Sequence, residues 1–279
     1  EWIRTRTGIS VRHVSDGEPT WYMGVQAAQQ AIATAGIDPA DIGLIIDTTI
    51  TGEYCTPSMS CIIQRETKAV NAACFDLNAA CSGFVYAMDT AHRFLMTDPH
   101  MKYALVVANE SLSKITNYSD RSSCILFGDG AGAIVLTAEE QETKACEKIH
   151  SDGEKGVSLT CEKGTYLQMD GRAVFQFALS RVPEVIREVL KEAEVPVEEI
   201  DAFILHQANS RIIDGVAKRL KAPKEKFPRN IEAYGNTCAA SIPILLDEWN
   251  RSGRAKKGQR IVLSGFGAGL IWGAAYLEW

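Results

Sequence analysis

The chain contains an internal duplication, which limits the folds open to it. When the second half is laid over the first with an offset near 157 residues, matching segments appear in the same order. A helical stretch over 25–35 leads into an apolar run at 44–46, and another over 182–193 leads into an apolar run at 202–205. Two similar halves that pack about a pseudo-twofold axis are the arrangement that this pattern favours.

Later segments extend the duplication. The further matching pairs are 103–108 with 260–264 and 130–136 with 269–277. Short, nearly all-apolar runs that alternate with helical segments are typical of buried parallel strands in layered α/β proteins. The sequence therefore predicts an α/β fold of two duplicated halves, 1–150 and 151–279. Equivalent loops would meet where the halves join, and ligand sites tend to form at such junctions.

The composition is that of an ordinary globular protein. Of its 279 residues 46% are hydrophobic and 23% charged, and the net charge is −6. This acidic balance argues against a general nucleic-acid or membrane-surface binder, since both need a basic excess. No apolar run is long enough to cross a bilayer, and Glu1–Arg4 lack the pattern of a signal peptide. We therefore expect a cytoplasmic protein without nucleic-acid or membrane partners.

The cysteines are candidate nucleophiles or metal ligands. No two form a C-x-x-C pair or a Cys/His cluster at zinc spacing, so the sequence predicts free thiols and no metal site. In a cytoplasmic protein most such thiols are small, inert, buried groups. The eight cysteines are at positions 55, 61, 74, 81, 124, 146, 161 and 238.

Cys81 differs from the other cysteines in its position. It follows the strand-like segment 73–77 and begins a helix predicted to reach about residue 96, so the positive end of the helix dipole would favour its thiolate. The offset of 157 makes it equivalent to Cys238, and brings its helix start towards that of a second helix over about 239–250. An inert buried thiol in a tight turn is the alternative interpretation.

Two hydrogen-bond donors occupy similar places in the second half. His206 follows the strand 202–205, at the carboxyl end where α/β sheets place their ligands. Asn236 opens the second predicted helix, where it could equally serve as an N-cap. A lone histidine is more often structural than catalytic. However, a histidine and an asparagine that converge beside a cysteine are what an enolate or a thioester oxyanion requires.

Two glycine-rich stretches, 128–132 and 265–269, invite a nucleotide-binding interpretation. In a dinucleotide-binding loop the glycines open a helix, whereas here a strand follows them. We therefore expect tight turns and close backbone contacts at both stretches. A backbone N–H of the second stretch is also a candidate oxyanion donor.

A basic run over 211–226 stands out in this acidic protein, with six basic and two acidic side chains. Such a run is usually a solvated helix face. Because it comes directly after His206 and Asn209, it could also steer an acidic partner towards the site.

Together, the motifs resemble those of the 3-oxoacyl-[acyl-carrier-protein] synthase III family of the thiolase superfamily. They occur in the family's order along nearly the whole chain, which makes the resemblance specific. The five motifs are Glu1-Trp-Ile-Arg-Thr-Arg-Thr-Gly8, Asp76-Leu-Asn-Ala-Ala-Cys-Ser-Gly-Phe84, Phe127-Gly-Asp-Gly-Ala-Gly132, His206-Gln-Ala-Asn209 and Tyr234-Gly-Asn-Thr-Cys-Ala-Ala-Ser241. The resemblance implies a thiolase-like fold, with two halves in α-β-α-β-α layers, and a homodimer.

The resemblance also implies a catalytic triad of Cys81, His206 and Asn236. An acyl group would move from coenzyme A (CoA) to Cys81, and malonyl-acyl-carrier protein would then lose CO2. Its enolate, held by His206 and Asn236, would attack the thioester to give a 3-oxoacyl-carrier protein. The backbone N–H groups of Cys81 and Ala268 would form a second oxyanion hole. CoA enters as a substrate, and no cofactor is implied.

Residues that bind the substrates carry over from the same resemblance. The expected CoA contacts are Trp2, Arg6, Arg121, Phe175 and Asn209. The residues expected to dock the acidic carrier protein are Arg211, Lys218 and Arg219, and those expected in the acyl pocket are Thr56, Phe127 and Phe266. At the place of Thr56 some members have a bulky aromatic residue that crosses the dimer and closes the pocket. A threonine leaves more room, so we expect primers longer than acetyl to be accepted.

The chain departs from the family pattern at two places. Members carry additional residues before the Trp2 motif, including a strand that we expect at the centre of the first sheet. The stretch 139–169, where a flexible loop over the site normally lies, is also short. A half without its central strand should not fold well, so we expect both segments to belong to the complete protein.

Other functions remain open from the sequence. A polyketide or aryl-primer synthase could use the same triad with different substrates. A thiolase is disfavoured, because it would need a second catalytic cysteine in 265–269. From another class, a Cys-His-Asn site could serve a cysteine-dependent thioester hydrolase, and a non-catalytic paralogue could simply bind carrier protein.

Overall fold

The computed structural model describes residues 1–138 and 145–279, so the first six residues of the short stretch 139–169 lie outside the described part. The α-helices of this part are α1 (Trp2–Thr7), α2 (Thr20–Ala35), α3 (Met59–Thr67), α4 (Gly83–Thr97), α5 (Gly171–Ala193), α6 (Ser210–Leu220), α7 (Ile231–Tyr234) and α8 (Ser241–Arg251). None of these helices combines the length and apolarity needed to cross a membrane.

Most strands of the described residues coincide with strand-like runs of the sequence, and the short strands within 146–169 do not. The strands are β1 (Ile42–Thr48), β2 (Ala73–Leu77), β3 (Tyr103–Ser111), β4 (Asp129–Thr137), β5 (Cys146–Ser151), β6 (Leu159–Thr160), β7 (Gln168–Met169), β8 (Ala202–Leu205), β9 (Arg260–Gly267) and β10 (Ile271–Glu278). The two glycine-rich stretches overlap the start of β4 and the end of β9, as expected for close backbone contacts rather than a dinucleotide loop.

Local sequence signals fix the ends of several helices. Gly36 ends α2 in the left-handed conformation, with φ 66°, and its N–H bonds back to carbonyls of the last turn. Asp170 caps α5 by accepting the backbone N–H groups of Arg172 and Ala173. These helices therefore begin and end where capping residues occur.

The first sheet has the strand order β2-β1-β3-β4. β1 is parallel to β2 and to β3, and β4 runs antiparallel to β3. The two inner strands, β1 and β3, are direct hydrogen-bonded neighbours with no space for another strand between them. The expectation that this sheet lacks its central strand is therefore wrong.

The second sheet repeats this pattern with the order β5-β10-β9-β8. β8 and β9 are parallel and β10 is antiparallel to β9, so the three strands correspond to β1, β3 and β4. β5 adds to the outer edge of β10. The second sheet thus begins at Cys146, a few residues before the predicted boundary between 150 and 151, which falls inside β5.

Helices separate and cover the sheets. α4 and α8 are buried between the two sheets, where side chains such as Phe84 and Leu246 pack against both. α2 and α3 cover the outer face of the first sheet, and α5 and α6 cover that of the second. The layers are thus α-β-α-β-α, and the predicted thiolase-like fold is confirmed.

The two central helices begin in the same way. A single-turn 3-10 helix over Ala80–Ser82 precedes α4, and another over Cys238–Ala240 precedes α8. Ala80 and Cys238 both have a positive φ, of 41° and 52°. The local offset is therefore 158, and the predicted equivalence of Cys81 with Cys238 is wrong by one residue. Cys238 corresponds to Ala80, because each is the first residue of its 3-10 turn and has a positive φ.

Candidate active site

A cavity of about 510 Å³ lies where the two halves meet. Its walls are largely apolar, with leucine, isoleucine, valine and phenylalanine side chains from both halves. The three residues predicted to form the triad, Cys81, His206 and Asn236, all line it. Two backbone hydrogen bonds join the halves at one wall of the cavity. The N–H of Asn236 donates to Leu126 O (2.8 Å), and the N–H of Gly128 donates to Asn236 O (2.9 Å).

Cys81 is the middle residue of the turn before α4, where its thiol is partly accessible. The pKa of this thiol is held well below its ordinary value. The main cause is a hydrogen bond from the Cys238 thiol, and the nearby His206 ring and the backbone N–H of Cys81 add to it. Burial acts in the opposite direction but is outweighed. These contacts favour the thiolate of Cys81, the form of cysteine that acts as a nucleophile.

His206 is 2% exposed and follows β8, where its N–H donates to Ser264 O of β9 (2.8 Å). Its Nδ1 lies 2.7 Å from the hydroxyl oxygen of Ser241. That oxygen also accepts the backbone N–H of Gln207 (3.2 Å), so the Ser241 hydroxyl is itself held in place. With Nδ1 engaged by Ser241, Nε2 is the ring nitrogen left for the cavity that Cys81 also lines.

Asn236 is 6% exposed, and its side-chain oxygen accepts the backbone N–H of Cys238 at 2.9 Å. The capping role considered from the sequence is wrong, because Thr237 and Ala240 are the N-cap residues of the 3-10 turn and of α8, and neither start has a side-chain cap hydrogen bond. The bond to Cys238 instead closes a local turn two residues long and fixes the amide. With its oxygen engaged there, the NH2 group is left to donate elsewhere.

The end of β9 is in direct contact with the turn Ala80–Ser82, which carries Cys81. A Cβ atom on Gly267 would lie 2.8 Å from Cys81 Cβ and 3.2 Å from its sulfur, and one on Gly265 would lie 3.0 Å from Cys81 O. The next residue, Ala268, lines the cavity, and its role as a backbone oxyanion donor stays a prediction. The glycines are needed because the two backbones touch.

The predicted CoA contacts separate into two groups. Arg6, Phe175 and Asn209 line the cavity, whereas Trp2 and Arg121 do not. Trp2 is 55% exposed beside the mouth, with the Arg6 guanidinium 5.4 Å from its ring centre. Arg121 is exposed next to Ser122, which does line the cavity.

The predicted acyl-pocket residues also separate. Phe127 and Phe266 are buried in the cavity wall, and the Phe266 ring packs edge-on against His206 at 5.2 Å. Thr56 is exposed and is not part of the wall within one chain. Because its expected contact runs across a dimer, the role of Thr56 stays a prediction.

The three predicted docking residues lie on α6. Arg211 reaches the cavity mouth, where its guanidinium lies 5.5 Å from the Phe175 ring centre. Lys218 and Arg219 are exposed two turns further along. Asp214, which lies between Arg211 and Lys218 on α6, pairs with Arg229 and Lys224 and so does not neutralise these cations. This face is therefore positive.

Sequence analysis missed three residues of the site. Ser241 orients His206, and its place at the end of the motif 234–241 was the available signal. Arg172 lines the mouth at the start of α5, where no motif marks it. Cys238 was noticed only as an equivalent of Cys81. Across the described residues no three His, Cys, Asp or Glu side chains cluster as a metal site.

Comparison with known proteins agrees with the geometry. Residues 75–153 match the family 3-oxoacyl-[acyl-carrier-protein (ACP)] synthase III, and residues 190–279 match the C-terminal region of the same synthase. The beta-ketoacyl-[acyl-carrier-protein] synthase III of Clostridium perfringens is 46% identical over 293 aligned residues, which cover 100% of this chain and 90% of that protein. This chain belongs to the 3-oxoacyl-[acyl-carrier-protein] synthase III family. It is an acyltransferase of that family.

Solved structures of the family have the same fold. That of 3-oxoacyl-[acyl-carrier-protein] synthase III from Aquifex aeolicus superposes with a TM-score of 0.97 at 43% identity, covering 100% of this chain and 90% of that one. The priming beta-ketosynthase of the R1128 polyketide pathway has a TM-score of 0.95 at 37% identity, covering 99% and 87%. The fold is therefore shared by synthases with different products.

Proposed function

We propose that this chain joins an acyl-CoA primer to malonyl-acyl-carrier protein, releasing CoA and CO2, and so starts fatty acid synthesis. The observation that carries this proposal is the convergence of Cys81, His206 and Asn236 in one apolar cavity of a synthase-family member. Membership of a synthase family disfavours the hydrolase alternative. The apolar walls point the same way, because they keep water from an acyl-cysteine thioester.

In the first stage, the Cys81 thiolate attacks the thioester carbonyl of the acyl-CoA. The low pKa of Cys81 supplies the nucleophile without a separate base. The oxyanion of the tetrahedral intermediate accepts hydrogen bonds from the backbone N–H groups of Cys81 and Ala268. The intermediate collapses, the CoA thiolate leaves, and Cys81 holds the acyl group.

In the second stage, malonyl-acyl-carrier protein loses CO2, and the electrons of the broken bond pass to its thioester carbonyl. The enolate oxygen accepts hydrogen bonds from His206 Nε2–H and the Asn236 NH2 group. The enolate carbon then attacks the acyl-Cys81 carbonyl, and Cys81 leaves as a thiolate. Two hydrogen-bond donors at one oxygen suit this stage, because they bind the negative charge of the enolate more strongly than the uncharged thioester carbonyl.

The surroundings of the cavity fit both substrates. Arg6, Arg172 and Arg211 at the mouth can bind the phosphates of CoA. The exposed cations Lys218 and Arg219 can attract an acidic carrier protein. We place the protein in the cytoplasm as a homodimer that uses no cofactor other than its CoA thioester substrate.

Mass spectrometry across a panel of acyl-CoA primers tests this proposal. We expect an acyl adduct on Cys81 that is stable until malonyl-acyl-carrier protein is added, and is then discharged as a 3-oxoacyl product with release of CO2. Primers longer than acetyl should form the adduct as well, because Thr56 leaves room. Rapid release of free acid would instead indicate a hydrolase. Carrier-protein binding without any adduct would indicate a non-catalytic paralogue.

The contact between β9 and the turn that carries Cys81 gives a second prediction. Gly267→Ala should slow adduct formation by about a hundredfold, since its Cβ must displace Cys81 and a shift near 1 Å can have that effect. The measurement is the rate of Cys81 acylation. Gly153→Ala is the control, because nothing lies within 4 Å of a Cβ there. Equal rates in the two variants would show that the contact is not needed.

The positive face of α6 gives a third prediction. The double variant Lys218→Glu/Arg219→Glu should raise the KM for malonyl-carrier protein by about tenfold and leave Cys81 acylation by acyl-CoA unchanged. Steady-state kinetics with varied carrier protein and salt would check it. The matched control is Arg65→Glu/Lys68→Glu, which reverses two exposed charges at the end of α3. A KM that rises equally in both variants would point to net charge rather than docking.

A further inference from the structure

Arg12 is a partly exposed residue that lies outside the cavity wall, next to the backbone that carries Asn236. Its guanidinium donates to Ile125 O at 3.0 Å. Its side-chain stem packs on Gly235, where a Cβ atom would lie 2.9 Å from Arg12 Cγ and 3.2 Å from Cδ. Arg12 therefore touches both the residue before Asn236 and the segment to which Asn236 is bonded.

The backbone of Asn236 is fixed on that segment from two sides. Its N–H donates to Leu126 O (2.8 Å), and its O accepts the N–H of Gly128 (2.9 Å). The Arg12 stem covers this second bond as well, because a Cβ atom on Gly128 would lie 3.4 Å from Arg12 Cβ. Since the side-chain oxygen of Asn236 is engaged within its own turn (2.9 Å), the position of its NH2 group follows that of the backbone.

The segment that carries Arg12 is itself anchored to both halves. Immediately before Arg12, the N–H of Val11 donates to Glu232 O at 3.0 Å, in the second half. Immediately after it, His13 O accepts the N–H of Asp129 at 2.8 Å, in the first half. Arg12 thus lies between two fixed points, one on each side of the junction.

Asp129 secures the anchor in the first half. It is 3% exposed, and its Oδ2 accepts the N–H of Ser15 (2.9 Å) and the hydroxyl of Ser113 (2.6 Å). Its Oδ1 accepts the N–H of Ser113 (2.8 Å). The glycine-rich stretch 128–132 therefore does more than allow close backbone contacts, because its aspartate holds the segment of Arg12 in place.

We propose that Arg12 is a positioning residue for Asn236: its stem and guanidinium fix, relative to each other, the two backbone segments whose hydrogen bonds place the Asn236 amide in the cavity. A guanidinium that donates to a carbonyl makes a charge-assisted hydrogen bond, which is stronger than a neutral one. The inference rests on the proposed role of Asn236 as an enolate donor. It adds to the second stage a residue that lies outside the cavity.

A double-mutant cycle with Asn236 tests this proposal. Arg12→Met keeps a stem of similar length and removes the guanidinium. It should slow the decarboxylation of malonyl-carrier protein about tenfold, because even a small shift of a reacting donor is costly, and leave Cys81 acylation by acyl-CoA within about twofold of the wild type. In the Asn236→Ala background the same change should have an effect below about twofold, since the amide that it positions is already gone.

Two further variants control for charge and for folding. Arg12→Lys keeps a cationic donor, and because Arg12 makes a single bond to one carbonyl, this variant should decarboxylate within about threefold of the wild type. Arg254→Met removes the same group from an exposed position after α8 and should change neither stage. If Arg12→Met unfolds at the assay temperature, Arg12→Gln, which keeps a neutral donor, replaces it in the cycle with the same expected pattern.

A second measurement reports on the amide without any substrate. The side-chain NH2 resonances of Asn236 in a 1H–15N NMR spectrum can be identified by their absence in Asn236→Asp. They should shift in Arg12→Met and stay in place in Arg12→Lys and Arg254→Met.

Three outcomes would overturn the inference. Equal losses from Arg12→Met in the wild-type and Asn236→Ala backgrounds would show that Arg12 acts independently of Asn236. Equal losses in acylation and decarboxylation would reduce it to a residue that stabilises the fold. Unmoved NH2 resonances would mean that the amide is not held through Arg12. If the resonances shift as expected but even the wild type does not decarboxylate malonyl-carrier protein, the proposed function fails while the positioning of Asn236 stands.

Discussion

Replacing Cys81 with alanine should lower the rate of condensation by at least about a thousandfold and abolish the acyl adduct, because no other group at the site can hold the acyl chain. The neighbouring thiol cannot take over. The pKa of Cys238 lies well above its ordinary value, chiefly because of its hydrogen bond to Cys81, with burial adding to the shift. Adduct detection and release of CoA, measured on the same sample, check both parts of this prediction.

The matched control for this variant is Cys74→Ala. Cys74 lies on β2, and burial, with Cys61 and Asp76 adding to it, raises the pKa of its thiol to about 12. It is therefore protonated throughout the working range and should not form an adduct. Comparable losses in Cys74→Ala and Cys81→Ala would mean that the cysteines act through stability, and would contradict the assignment of Cys81 as nucleophile.

Replacing Asn236 with alanine should slow the condensation by a hundredfold or more, since loss of one oxyanion donor has effects of about that size. Acylation of Cys81 should be much less affected, because the enolate forms only in the second stage. Single-turnover measurements can separate the stages: adduct formation from acyl-CoA, then decarboxylation of malonyl-carrier protein.

A second variant separates the two roles of Asn236. Asn236→Asp keeps an oxygen that can accept the Cys238 N–H, so the turn before α8 keeps this hydrogen bond, but it loses the NH2 donor. We expect it to fold as stably as the wild type and to condense as poorly as Asn236→Ala. Activity near the wild type in Asn236→Asp would show that the residue acts only by holding this turn.

The sequence predicted most of the fold because the duplication and the apolar periodicity are local signals. Except for β5, the strands of the two four-stranded sheets lie on the runs identified from the sequence, and the starts of α4 and α8 lie within a few residues of the predicted helices. The order of the strands within the sheets was harder to predict from the sequence. The strand expected at the centre of the first sheet has no place there, because strand order depends on which strands pair across the sheet rather than on their order in the chain.

The site was predicted unevenly for a similar reason. Motif residues such as His206 were found because each stands at a strand or helix end. The residues that control them were missed, since Ser241 is recognisable as the partner of His206 only when β8 and α8 lie side by side. The position of Thr56 outside the cavity wall is likewise a property of packing.

By itself, the sequence determined that this chain folds into two similar α/β halves and that Cys81, at a helix start, is a candidate nucleophile. Only the tertiary structure decided that the pKa of its thiol is lowered. Its pKa depends on hydrogen bonding and charge from Cys238 and His206, which are more than a hundred residues away in the chain and meet Cys81 at the junction of the halves. Electrostatic effects of this kind act over a few ångströms of space, so they follow from packing and not from sequence spacing.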